Sequence, residues 1–234
     1  FMRQPIPKYA HVAALFNWYL AVTLVGAIIL GACSKAFIPS SADRRLKIGT
    51  LFPATGDLAS MGQPITATLP LLVEQVNRCG GVNDQPVDLV SADDETDPTK
   101  GTIAMTKLVE VDKVVGVVGA FASSVSQAAV GVAVRNKVMM VSPASTSPVF
   151  TERAKKGEFK GFWARTAPSD TYQARALAKL AHSKGLKRVS TVAINNDYGV
   201  GFEKEFVSVF KRLGGIIVNE QKLTRYDPKS ATLN

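Results

Sequence analysis

With 234 residues, 46% of them hydrophobic and 20% charged, the chain can bury one large α/β core or two small ones. Its formal charge of +9 is scattered, with only short basic clusters such as 153–156 and 184–188. No basic stripe interleaved with aromatics points to a nucleic-acid partner, and the two cysteines, Cys33 and Cys79, are too few for a disulfide framework.

Arg3 and Lys8 precede a long apolar segment, 12–32, that ends in Leu30-Gly31-Ala32-Cys33. This pattern resembles a bacterial lipoprotein signal with its lipobox. On that resemblance residues 1–33 form the signal segment, Cys33 carries the lipid as the mature N-terminus, and 34–45 form a linker. An uncleaved membrane anchor is the other reading, since the segment approaches spanning length. Either one takes the body out of the cytoplasm and tethers it to a membrane.

From Leu46 the chain alternates between strand and helix signals. Leu46–Phe52 reads as the first strand, and Pro53-Ala54-Thr55-Gly56 as a turn. Helical spacing covers Ile65–Arg78 and stops at Gly80-Gly81. A second strand is expected over Val87–Ala92. Asp97 before Pro98 then gives cap chemistry for a helix over Thr99–Val111. Asp93, Asp94 and Asp97 lack the spacing of a calcium loop, so turn and cap roles are expected for them, with no metal or cofactor.

The stretch from Val114 to Pro148 organises the rest. Val114–Val118 is a buried-strand signal, and Gly119 lets the chain bend. Ser123, Ser124 and Ser126 offer caps for a helix over Val125–Arg135, and Val138–Val141 is the next strand. If the two strands are parallel neighbours, the turns after them share one carboxyl edge, where open α/β sheets bind ligands. Amides at a helix start, beside hydroxyls, suit a small carboxylate.

Beyond Pro148, residues 150–161 read as a loop or ragged helix and Phe162–Thr166 as extended chain. Helices are expected over Thr171–Lys184, after the Ala167-Pro168-Ser169-Asp170 cap, and over Phe202–Leu213. Strands are expected at Arg188–Ile194 and Ile216–Asn219. Tyr226-Asp227-Pro228 reads as the opening of another helix, and Cys79 as a buried or half-buried thiol. The alternation predicts an α/β fold built on doubly wound parallel sheet.

The order of these pieces resembles the type I periplasmic binding proteins, the family of the leucine/isoleucine/valine-binding proteins of ABC importers. The matching residues are Ile48-Gly49, Pro53, Thr55-Gly56, Gly80-Gly81-Val82, Asp93-Asp94 and Asp97-Pro98. They continue through 116–119, Ser123-Ser124, Pro143-Ala144, Thr146 and Asp197-Tyr198-Gly199. The resemblance implies two doubly wound lobes closing on a ligand: lobe I over 46–165 and lobe II over 166–234, the latter incomplete at Asn234. It implies that Ser123 bonds the α-carboxylate of an amino acid, with backbone groups at Phe121 and Ala122 sharing that contact. Ala144, through its carbonyl, and Thr146, through its hydroxyl, would receive the α-ammonium. Tyr198 would close over the ligand. Met61 stands where the branched-chain binder has an aromatic residue. The family's acidic partner for the ammonium is expected beyond Asn234.

The implied function is extracytoplasmic capture of a small amino acid, amide or carboxylate for delivery to an ABC permease, with a lipid-anchored body at a bacterial membrane. A ligand-binding sensor ectodomain of a receptor or signalling kinase is the alternative on the same fold. An α/β enzyme is the remote one: the chain has no G-x-S-x-G, no glycine fingerprint after the first strand, and no histidine to partner a serine.

Overall fold

A computed structural model describes residues 45–228 and 230–233; the leader expectations, Cys33 among them, lie outside these residues. β1 (Leu46–Phe52) sits between β2 (Val87–Asp93) and β3 (Gly116–Gly119), with β4 (Met139–Ser142) and β5 (Trp163–Arg165) beyond β3. Every pairing is parallel, in the order β2-β1-β3-β4-β5. Parallel neighbours require crossovers. These are α1 (Ala59–Arg78), α2 (Pro98–Thr106, continued as a π-helical turn Lys107–Val111), α3 (Ser123–Asn136) and α4 (Val149–Lys155). Leu51, Met105, Leu108, Val125, Met140 and Phe150 are fully buried in the core between sheet and helices, each contributing roughly 1.5–3 kcal/mol by leaving water. Phe150 also stacks on Trp163, 4.2 Å between ring centres, fastening α4 to the edge strand β5.

A second hydrophobic cluster, centred on Ala174, Ala178, Phe206 and Phe210, joins α5 (Asp170–Ser183) to α6 (Asp197–Arg212). Around it β6 (Arg188–Val189) pairs with β8 (Ile216–Ile217), and β7 (Val192–Ile194) pairs with β9 (Thr224–Asp227), both in parallel. β9 returns as the antiparallel β10 (Thr232–Leu233). Among the described residues no helix is long and apolar enough to cross a membrane.

Several elements depart from the sequence reading, each for a local reason. The single strand expected over Arg188–Ile194 is split, because the Asn219 side-chain amide takes both backbone groups of Thr191, at 3.0 and 2.8 Å. A residue bonded in this way cannot also serve a sheet ladder, and the strand at Ile216 stops short of Asn219 for the same reason. No helix opens at Tyr226-Asp227-Pro228; Thr224–Asp227 instead takes the free edge of β7, where backbone pairing outweighs a cap signal. α1 starts six residues early because Leu58 is anchored ahead of it: its N–H donates to the Thr96 hydroxyl at 3.0 Å and its carbonyl accepts from the Gly62 N–H at 3.0 Å. α6 starts five residues early because Asn196 caps it through the Gly199 N–H at 2.9 Å. β3 begins two residues late, since the Val114 N–H bonds Leu108 across the preceding turn. Of the loop or ragged helix expected over 150–161, residues 149–155 form regular helix. Cys79, at the C-cap of α1, is exposed rather than buried.

The aspartates after β2 have the expected turn and cap roles. Asp97 accepts from the N–H groups of Thr99 and Lys100 at 2.8 and 3.1 Å, and Asp93 accepts from the Thr55 hydroxyl at 2.7 Å.

Candidate functional site

In the order β2-β1-β3-β4-β5 the direction of winding reverses between β1 and β3. The loops leaving those strands diverge there and open a crevice at the carboxyl edge. Gly119 ends β3 at φ +143°, and a Cβ on it would stand 2.2 Å from the Leu51 carbonyl oxygen. Only glycine turns the chain into the crevice so close to β1. A cavity of about 390 Å³ lies at this edge. All seven side chains singled out from the sequence line it: Met61 beyond β1, Phe121, Ala122 and Ser123 beyond β3, Ala144 and Thr146 beyond β4, and Tyr198 from the first turn of α6. Gln173, Ile194 and Asn196 complete the wall from the second cluster's side.

The start of α3 is not capped as the sequence suggested. Ala122, with extended backbone, holds the N-cap position, and no side chain caps the helix. The serines are engaged elsewhere. Ser126 bonds the Ala120 N–H at 3.1 Å and accepts from the Ser145 hydroxyl at 2.8 Å. Ser124 caps nothing. Ser123 is only 3% exposed and accepts from the Ser147 N–H at 3.3 Å. That bond occupies an acceptor lone pair and leaves the Ser123 proton free to donate. An uncapped helix start beside a hydroxyl donor is an anion seat, and the helix dipole adds roughly 0.3–1 kcal/mol for a bound negative charge.

The loop 143–148 supplies the other polar groups. Ser142 Oγ donates to the Ala120 carbonyl at 2.7 Å and accepts from the Ser145 N–H at 2.9 Å, so the turns after β3 and β4 are fixed to each other. Among the described residues no donor reaches the Ala144 carbonyl. The Thr146 carbonyl, by contrast, accepts from the Asp170 N–H at 2.9 Å.

Asp170 is the residue that the sequence reading missed. It is 1% exposed, and neither carboxylate oxygen has a hydrogen-bond partner. Burial pushes its carboxyl group above the ordinary range, against the lowering influence of the Thr146 hydroxyl and the Arg165 guanidinium. Asp170 in turn adds to burial in raising the Tyr198 phenol. A buried carboxylate without partners, neighboured by two residues of the cavity wall, is costly unless something cationic answers it. In sequence Asp170 looks like an ordinary acidic first-turn residue after the Ser169 cap, which accepts from the Thr171 N–H at 3.3 Å. Only the docking of α5 against the Thr146 loop gives it a second role.

A larger hollow of about 470 Å³ lies by α5, α6 and β7. It is less suited to a charged ligand, because its acidic residue, Glu203, is already paired with Arg225.

The family of periplasmic binding proteins matches residues 45–231. The chain belongs to that family. It is 30% identical over 219 residues to Leu/Ile/Val-binding protein homolog 3 of Brucella melitensis, covering 93% of this chain and 56% of the relative. The branched-chain amino acid transporter substrate-binding protein LivJ of Streptococcus pneumoniae, solved with isoleucine, superposes with a TM-score of 0.66 at 26% identity, over 79% of this chain and 49% of LivJ. A solute-binding protein of an ABC transporter from Rhodopseudomonas palustris, solved with benzoate, gives 0.65 at 28% identity, over 75% of this chain and 47% of its own. The chain spans about half the length of such bacterial relatives.

Proposed function

We propose that the chain is the ligand-capturing part of an extracytoplasmic solute-binding protein, and that its ligand is an α-amino acid delivered to an ABC permease. The ligand's carboxylate sits at the start of α3 against the Ser123 hydroxyl. Its ammonium is received by the Ala144 carbonyl and the Thr146 hydroxyl, with the charge of Asp170 behind them. Tyr198 closes the site, and the side chain lies among Leu58, Met61, Phe121 and Ile194, which also line the cavity. In this reading Cys33 carries the lipid that holds the protein at the membrane.

The observation that carries this reading is the unpartnered Asp170 carboxylate, next to Thr146 and Tyr198 and so beside the cavity they line. The related structures include amino-acid and benzoate complexes. A benzoate brings no cation to meet a buried carboxylate, whereas an amino acid does. Each charge-assisted hydrogen bond is worth roughly 1.5–3 kcal/mol, so a few of them reach the ~8 kcal/mol of a micromolar ligand.

The test is a chemical-shift titration with branched-chain and small amino acids, on the parent and two variants. Ser123→Ala weakens binding about 10- to 100-fold, the equivalent of one charge-assisted bond. Asp170→Asn weakens amino-acid binding by a similar factor and leaves benzoate, if it binds at all, unaffected. Amino-acid affinity unchanged in both variants would contradict the assignment.

A further inference from the structure

The loop that carries Ala144 and Thr146 has no ladder of its own, yet it must hold two groups in register with a helix start across the cavity. Arg165, the last residue of β5, lies beneath it. One guanidinium nitrogen donates to the Ser145 carbonyl at 3.1 Å and to the Ser147 carbonyl at 2.9 Å, the carbonyls of the two residues that flank Thr146. The other donates to the Thr151 hydroxyl on α4 at 2.8 Å. The guanidinium also packs near the rings of Phe150 and Trp163, each 5.8 Å away. Its stem is fixed in the sheet, opposite Ser142 in the β4–β5 register.

We infer that Arg165 is a positioning residue of the ligand site: it clamps the carbonyls of Ser145 and Ser147, the residues on either side of Thr146. The inference rests on the amino-acid reading above. It goes further by tying the site to the point where the chain leaves β5 for α5, since Thr166, next in sequence, also bonds back to Ser142, at 3.1 Å. The geometry needs an arginine. A lysine ammonium would keep the charge, but it has no planar fork to span two carbonyls and a hydroxyl at once. The ionisable groups facing Asp170 are Arg165 from β5 and Tyr198 from α6, so Arg165 is the sole cation acting on it among the described residues.

Two measurements on Arg165→Lys and Arg165→Met test the clamp. The first is hydrogen exchange of the Ser145 and Ser147 amides without ligand. Both are bonded in the loop, to Ser142 and Ser123. The clamp predicts that both amides exchange at least tenfold faster in each variant, while amides of α2 and β1 stay protected. Unchanged loop exchange overturns it. The second is amino-acid affinity, which falls at least tenfold in both variants, because neither side chain spans the two carbonyls and the hydroxyl. Lower affinity with unchanged exchange of the Ser145 and Ser147 amides is the mark of a residue needed only for folding, and that outcome also overturns the inference. If the parent binds no amino acid, the functional reading fails while the exchange measurement still decides the clamp.

Discussion

At the scale of single residues, two buried aspartates behave differently from their neighbours. Asp94 is fully buried. One of its oxygens accepts from the Thr96 N–H at 2.9 Å and the other has no partner. Burial first, with the adjacent Asp93 charge adding to it, pushes its carboxyl group up to about 6. A carboxyl group that holds its proton more tightly in the folded chain favours folding most at low pH. The advantage is lost as pH rises from about 4 to about 6, and stability is level above that with respect to this group. The full span is worth ~3 kcal/mol at 1.36 kcal/mol per unit. Asp170, also raised by burial, acts in the same direction. A urea-unfolding series from pH 4 to 7 therefore shows falling stability, and Asp94→Asn flattens most of the fall. A slope identical in the variant would show that Asp94 is ordinary in the folded chain. That Ser123, Ala144 and Thr146 lie together at the cavity follows from the strand-end turns and the family resemblance, which were both readable in the sequence. Asp170 was not legible, because first-turn acids are common on any helix and its lack of partners arises from tertiary packing.

Among elements, those with a strong local cause matched the sequence closely. β1 was read to the residue, and the cap of α2 follows from Asp97-Pro98 as expected. Replacing Asp97 by Ala removes acceptors for two first-turn N–H groups and is expected to cost about 1 kcal/mol, read as a lower urea midpoint with unchanged slope. An unchanged midpoint would mean that the first turn is held by packing alone. Elements whose ends depend on distant partners were misread. The break at Thr191 is imposed by Asn219. The early start of α1 is imposed by the Thr96 hydroxyl, which anchors Leu58, and the bare start of α3 by serines drawn into bonds with Ala120 and Ser147. The last of these matters most for function: a side chain capping α3 would compete with a ligand carboxylate for the same N–H groups.

For the whole molecule, the parallel order β2-β1-β3-β4-β5 brings three separate loops to one edge, and α6 supplies the opposite wall. Strand alternation and the spacing of small polar turns made that arrangement readable in advance. The partners that tune its charge, Asp170 and Arg165, emerge only once the chain crosses from β5 to α5. In the proposed function this edge holds a zwitterionic head group rather than a lone carboxylate. Titration calorimetry of the chain with leucine, with 4-methylpentanoate, which lacks the ammonium, and with 3-methylbutylamine, which lacks the carboxylate, tests this. Leucine is expected to bind at least tenfold more tightly than either analogue. Equal affinity for leucine and 4-methylpentanoate would contradict it.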